Sequence, residues 1–301
     1  MKILLRSWVA ALALIAALPA SAALNVFATV PEWGALADEL GGDNVKVYIA
    51  TSAAQDPHHV EAKPSLIARA RGADLVVATG AELEIGWLPL VLQQAGNPKV
   101  QPGQPGYFEA AAFVNLLDKP ARLDRSEGDV HPGGDPHIQT DPRNIALVAA
   151  ALAKRLAEVD PANADAYRTR YAAFDTKWRA AIARWEREAT PLKGVPIVVQ
   201  HKAFTYLIAW LGLNQIAALE PKPGVEPTTA WLTEVLALLQ RQPAKMVLRA
   251  AYQSDRASQW IAERAKLTPV VLPFTVGGDE QAKDLYSLFD DTVARLLKGA
   301  Q

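Results

Sequence analysis

The stretch that decides the fold is Pro161–Ala189, PANADAYRTRYAAFDTKWRAAIARWEREA, which has no glycine and no proline after its first residue. Ala, Arg and Glu dominate it, and all three favour helix. Asp160 stands in the N-cap place with Pro161 at the first helical position. The spacing therefore predicts one helix of roughly 40 Å at ~1.5 Å per residue. Trp178 and Trp185, seven apart, lie at core spacing on it. Such a helix is either a peripheral element of one domain or a rigid strut between two lobes. What lies on each side decides for the strut.

On the N-terminal side, Leu24–Val30 reads as a buried strand, Glu32–Leu40 as a helix closed by Gly41-Gly42, and Val45–Ala50 as a second strand. Pro64–Arg71 reads as helix, Asp74–Ala78 as strand and Trp87–Ala95 as helix. Gly96–Gly106 and Asp124–Pro136, rich in Gly, Pro and charge, read as loops. Asp141-Pro142 then opens an Ala/Leu-rich helix to Val159. On the C-terminal side Gly194 ends the long helix and a second series begins. Val195–Gln200, Gln215–Leu219, Lys245–Arg249 and Pro269–Phe274 are its strands. Ala203–Leu211, Thr228–Arg241, Asp255–Lys266 and Asp284–Leu297 are its helices. Strands alternating with helices imply mainly parallel sheets flanked by helices. The expected architecture is α/β in two lobes, 23–140 and 194–301, joined through a helical segment, 141–193.

Upstream of both lobes, Lys2 and Arg6 precede the apolar run Trp8–Leu18 and the small residues Ala20-Ser21-Ala22. That order is a secretory signal peptide over 1–22, with an apolar core about half of the ~20 residues a membrane span needs. No later stretch is long and apolar enough to span, so the mature chain is expected to be soluble. There is no cysteine in the 301 residues. That excludes disulfides, thiolate ligands, a cysteine nucleophile and a lipid-bearing cysteine; the expected setting is the periplasm of a Gram-negative cell. Without Lys2 and Arg6, 29 basic residues face 32 acidic ones. No nucleic-acid partner is indicated, since that would need a basic face.

The chemistry concentrates in five histidines: His58, His59, His131, His137 and His201. His201 directly ends an apolar strand, the end of an α/β strand at which ligands gather. His58 and His137 each stand in an Asp-Pro-His triplet, Asp56-Pro57-His58 and Asp135-Pro136-His137, both in loops of the first lobe. Proline fixes φ and lowers the entropy lost when an ion orders the loop. Aspartate can accept from a histidine's second ring N–H.

With these triplets the chain resembles the substrate-binding proteins of zinc and manganese ABC importers over essentially its whole mature length. Asp56-Pro57-His58 is followed by Pro64-Ser65, Ala73-Asp74-Leu75-Val76 and Gly80–Trp87. Asp135-Pro136-His137-Ile138, Asp141-Pro142-Arg143-Asn144 and Asp160-Pro161-Ala162-Asn163-Ala164 continue the likeness. Gln200-His201-Lys202-Ala203-Phe204-Thr205-Tyr206 and Leu211-Gly212-Leu213 carry it into the second lobe. The resemblance implies two lobes on one long helix, with the metal in the cleft between them. It implies His58 and His137 as ligands from the first lobe and His201 from the second. The family's fourth ligand is an acidic residue past the last strand, where this chain has Val276. Asp279, beyond Gly277-Gly278, is the preferred substitute, followed by Glu280, Asp284 or water. Manganese-selective relatives place a carboxylate where His201 stands, so zinc is expected over manganese, and neutral imidazoles suit it. His59 is read as a solvated neighbour; His131 stands where some zinc relatives carry a long His-rich loop, and an accessory zinc contact is the lesser of its two readings, its role being left open. The implied partners are an inner-membrane ABC importer permease and, left open, a metal-loading chaperone, with the chain acting as a monomer.

The rival reading is a zinc hydrolase, with water in the open fourth position. No His-Glu-x-x-His helix supports it, and no Gly-x-Ser-x-Gly turn supports a serine hydrolase. An adhesin is a third reading, without any adhesive repeat behind it.

Overall fold

The computed structural model describes residues 22–120, 128–129 and 131–301; the expected signal peptide, apart from Ala22, lies outside them. The first lobe contains β1 (Leu24–Ala28), α1 (Pro31–Gly41), β2 (Val45–Ile49), α2 (Pro64–Arg71), β3 (Leu75–Ala78), α3 (Leu88–Ala95) and β4 (Tyr107–Glu109). Two helices follow, α4 (Pro142–Val159) and α5 (Ala164–Glu188). The second lobe contains β5 (Pro196–Val199), α6 (Thr205–Leu211), β6 (Asn214–Ala218) and α7 (Thr229–Arg241), then β7 (Met246–Ala250), α8 (Arg256–Ala265), β8 (Thr268–Leu272) and α9 (Leu285–Ala300). Among these residues no helix is long and apolar enough to cross a membrane.

Each lobe holds one four-stranded, all-parallel sheet, ordered β2-β1-β3-β4 and β6-β5-β7-β8. The two orders are the same winding used twice, although the sequence shows no internal repeat. The inner strand β3 is buried at all four residues, as helices on both faces of a parallel sheet require. β4 was not expected. It extends the sheet by pairing Val76–Ala78 with Tyr107–Glu109.

The long helix exists, but it starts later than Pro161. Pro161–Asn163 makes a 3₁₀ turn first. Asp160 does not cap it, because its carboxylate accepts from the buried Tyr167 hydroxyl at 2.7 Å and from Asn163 Nδ2 at 2.8 Å. A buried hydroxyl without an acceptor would cost ~1–3 kcal/mol, which outweighs a typical cap. The 25 residues of α5 span ~38 Å. Tyr167, Phe174, Trp178, Ala181 and Trp185 form its buried stripe. Through that stripe it packs on α4, on α1 of the first lobe and on α9 of the second. One continuous hydrophobic core therefore runs through both lobes.

The loops at the carboxyl ends of the strands meet between the lobes. Polar ties cross there, among them two at buried side chains. Thr275 Oγ1 donates to the buried Glu32 Oε2 at 2.5 Å. Tyr206 on α6 donates to the Asp135 carbonyl at 2.6 Å and accepts from Leu117 N at 3.1 Å.

Candidate metal centre

His58 lies in the loop after β2, pinned where Trp87 Nε1 donates to the Pro57 carbonyl at 3.0 Å. Its backbone N–H and its ring Nδ1 both reach Asp56 Oδ1, at 3.0 and 2.8 Å. His137 repeats the device: its backbone N–H and Nδ1 reach Asp135 Oδ1 at 2.8 and 2.7 Å. The second lobe arrives at the same result differently. Val199 of β5 pairs with Ala218 of β6, so the residues two beyond each, His201 and Glu220, stand side by side. His201 Nδ1 meets Glu220 Oε2 at 2.6 Å, and that oxygen also accepts from Gly224 N at 2.7 Å.

An ionised carboxylate only accepts, so in each pair Nδ1 carries a proton, and in the neutral ring Nε2 keeps its lone pair. That is the second-shell arrangement of metal-ligating histidines. The rings gather accordingly. His58 lies 5.3 Å from His137 and 6.1 Å from His201, and His137 lies 5.7 Å from His201, centre to centre. All three are buried. Nε2 of His137 is buried with no hydrogen-bond partner, a cost that a bound cation would remove. Even so, among the described residues no group of three or more His, Asp or Glu side chains already stands at metal-holding geometry. The rings are assembled but not drawn in onto one point.

A fourth imidazole joins them. The His131 ring lies 5.3 Å from that of His58, with Nε2 3.3 Å from its Nε2. An open cavity of about 330 Å³ leads to the cluster, lined by Asp129, His131, His137, His201 and Glu220 among others. His59 stays at the surface as expected, 3.7 Å from Asp129, and Lys202 is exposed.

Charge is distributed unevenly over the cluster. Burial pushes the His137 pKa down, and burial with the neighbouring His58 and His137 rings pushes that of His131 down to about 3. At His201 burial also acts downward, but the Glu220 hydrogen bond and charge outweigh it and hold the pKa up. Burial would raise Asp56, yet its His58 contacts keep it at about 2.

The expected fourth ligand is not brought to this cluster. Gly277 does turn with φ +81°, and Gly278 sits where a Cβ would come within 2.0 Å of the Pro273 carbonyl. The turn, however, delivers Asp279 to α9. Its Oδ1 accepts from the backbone N–H of Gln281 and Ala282 at 2.8 and 2.9 Å, and its Oδ2 pairs with Arg295 at 2.6 Å. Those contacts hold its pKa low against partial burial. Glu280 is exposed, Asp284 caps α9 in a capping box with Ser287, and Val276 packs against the core.

Two residues that complete the centre were not foreseen. Glu220 was findable, as the carboxylate just past an expected strand next to the one ending at His201. Phe274, packed 5.7 Å from the His137 ring with φ +70°, had no signal, since nothing in a sequence marks a left-handed phenylalanine.

Comparison with known proteins identifies the family and the fold. Residues 26–299 match the family described as zinc-uptake complex component A, periplasmic. The zinc-binding lipoprotein AdcA of Streptococcus pneumoniae serotype 4 is 25% identical over 243 residues, 79% of this chain and 46% of AdcA. The chain thus spans about half the length of that relative. The high-affinity zinc uptake system protein ZnuA of Paracoccus denitrificans is 27% identical, covering 73% of this chain and 74% of its own. The manganese ABC transporter substrate-binding lipoprotein PsaA of S. pneumoniae is 23% identical, covering 86% and 83%. Among solved structures, FpvC of Pseudomonas aeruginosa in complex with Mn²⁺ superposes with a TM-score of 0.77 at 22% identity, over 92% of this chain and 98% of that one. A ZnuA crystal structure superposes with a TM-score of 0.74 at 24% identity, over 91% and 99%. At those identities the likeness establishes the fold.

Proposed function

The chain belongs to the family described as zinc-uptake complex component A, periplasmic, and on that premise we propose that it captures a divalent transition-metal ion and hands it to an ABC importer. The family is one of importer binding proteins, not of enzymes. The observation that carries the reading is the orphaned Nε2 of the buried His137, facing rings whose Nδ1 atoms are engaged by Asp56, Asp135 and Glu220. Three imidazoles so oriented can hold a cation and do little else. The hydrolase reading has no support: the family is one of importer binding proteins, and Asp56, Asp135 and Glu220 already accept from imidazoles.

Relatives of this chain include both zinc and manganese proteins, so family membership leaves the metal open. The donor set argues for zinc. Neutral nitrogen donors suit zinc, whereas manganese favours oxygen. The negative charge that balances the ion stands one layer out, on the three carboxylates. The site of action follows as the periplasm or cell exterior, with a membrane permease as partner.

The test is metal content followed by competition titration. One zinc per chain, held more tightly than manganese and lost in His137→Ala, is the expected result. Equal or tighter manganese binding would remove the zinc assignment, and a metal-free His58, His137 and His201 cluster in zinc-saturated protein would remove the site.

A further inference from the structure

We propose that His131 is the fourth metal ligand, closing an all-imidazole shell in place of the acidic residue expected past the last strand. The inference rests on the metal-capture reading and specifies the fourth position of that same site. Its first support is distance. Zinc–nitrogen bonds of ~2.0–2.1 Å set the corners of a tetrahedron ~3.3–3.4 Å apart. The Nε2 atoms of His58 and His131 stand 3.3 Å apart, and their ring centres 5.3 Å apart, the same as for His58 and His137. Because Asp56 engages the Nδ1 proton of His58, the neutral ring turns a lone pair toward His131. An N–H···N bond would be long at 3.3 Å; the ligand–ligand edge of a tetrahedron is not.

The second support is how His131 is held. Gly134 N donates to the His131 carbonyl at 3.0 Å, and Asp135 N to the Leu117 carbonyl at 2.8 Å. On the other side, Asp129 N donates to the Pro223 carbonyl of the second lobe at 3.0 Å. Gly224 lets that approach happen, since a Cβ there would lie 2.2 Å from Asp129 Oδ2. His131 is thus carried between anchors on both lobes and set over the cluster from the side of the open cavity. The third support is that the rival carboxylate is committed: both Asp279 oxygens are engaged by the α9 turn and Arg295.

The consequence is selectivity. Replacing the family's carboxylate by a fourth neutral nitrogen takes away the one oxygen that manganese would favour. It also leaves the ion's charge to Asp56, Asp135 and Glu220 alone.

The experiment compares His131→Ala, His131→Asp and His137→Ala with the parent chain, each as metal-free protein reloaded with Zn²⁺ or Mn²⁺. Zinc-edge X-ray absorption of the parent should fit four imidazoles, and His131→Ala three with one oxygen. His131→Ala should weaken zinc binding roughly ten- to a hundredfold, while the metal-free melting temperature stays at that of the parent. His131→Asp should bind tightly again but with the zinc-to-manganese preference reduced at least about tenfold. That rescue is one a merely structural role would not give. If His131→Ala keeps the parent's spectrum and affinity while His137→Ala loses zinc, His131 is not a ligand and the proposal falls alone. If His137→Ala also binds as the parent does, the cluster is not the metal site and both readings fall together.

Discussion

The two lobes share one strand order, yet they place their imidazoles by different means. In the first lobe each ligand-bearing loop contains its own carboxylate, two residues before the histidine, and one Asp oxygen takes both the backbone and the ring N–H. In the second, Glu220 comes from the neighbouring strand, 19 residues from His201. The first device is a local turn that forms with the loop. The second requires β5 and β6 to be paired before ring and carboxylate meet. The distances follow: His58 and His137 are 5.3 Å apart, while His201 stands 6.1 and 5.7 Å from them. The first lobe presents a pair, and the second supplies the ring that has to close.

The largest effect should come from removing that ring. His201→Ala deletes the only imidazole offered by the second lobe and should cost roughly a thousandfold in zinc affinity, ~4 kcal/mol. Zinc that binds only the folded state raises the melting temperature in proportion to the logarithm of its concentration. That gain should nearly vanish in His201→Ala. A variant that still gains as the parent does would break the two-lobe account.

Next in size is the tie that holds the lobes without metal. Glu32 opens α1 of the first lobe, is buried, and accepts from Thr275 after β8 of the second. Burial, opposed by the Thr275 hydrogen bond and assisted by nearby Glu84, lifts its carboxyl to about 7. Its folded pKa is raised, so its stabilising contribution is complete below the ordinary carboxylate value and is lost as pH rises through about 7. Metal-free protein should lose up to ~3 kcal/mol of stability from this group between about pH 5 and pH 8. Glu32→Gln should flatten that slope. Denaturant unfolding at a series of pH values measures it, and an unchanged slope would show that Glu32 titrates elsewhere.

The carboxylates behind the rings test the comparison most directly. Asp135→Asn and Glu220→Gln should each weaken zinc binding roughly ten- to a hundredfold, as loss of an outer-shell partner does. They should differ in pH dependence. Burial already keeps His137 neutral, so the Asp135→Asn loss should be nearly the same at every pH. Glu220 holds the His201 pKa up, and zinc must displace that proton, so in the parent affinity falls as pH drops through the raised value. Glu220→Gln removes the cause, and its affinity should approach the parent's as pH falls from about 8 to about 5.5. Parallel curves for the two variants would erase the distinction between local and tertiary support.

The same distinction explains what could be read in advance. Asp-Pro-His, Pro64 opening α2 and the Asp141-Pro142 cap of α4 are local signals, and each is present where expected. The alternation of strands and helices gave two parallel sheets. Glu220 beside His201 depends on strand register, and His131 beside His58 depends on a segment anchored to both lobes; neither leaves a mark within a few residues. β4 was hidden because three residues carry too little pattern. Asp160 failed as a cap because its acceptor went to Tyr167, a competition invisible without tertiary contacts.

Asp279 gives the smallest expected effect and the sharpest discrimination. The turn at Gly277-Gly278 was expected and exists, but a turn fixes only that the chain reverses; what lies within reach fixes where the side chain goes. Arg295 of α9 lies within 2.6 Å, and two backbone N–H groups complete the carboxylate's partners. To bind an ion, Asp279 would have to abandon three hydrogen bonds that already satisfy both of its oxygens. Asp279→Ala should therefore leave zinc affinity within about twofold of the parent, under ~0.4 kcal/mol. It should lower the stability of the metal-free chain by about 1 kcal/mol, the partly exposed Arg295 pair contributing little of that. Competition titration and denaturant unfolding on the same preparation separate the two. A tenfold loss of zinc affinity would return Asp279 to the coordination shell and displace His131 from it.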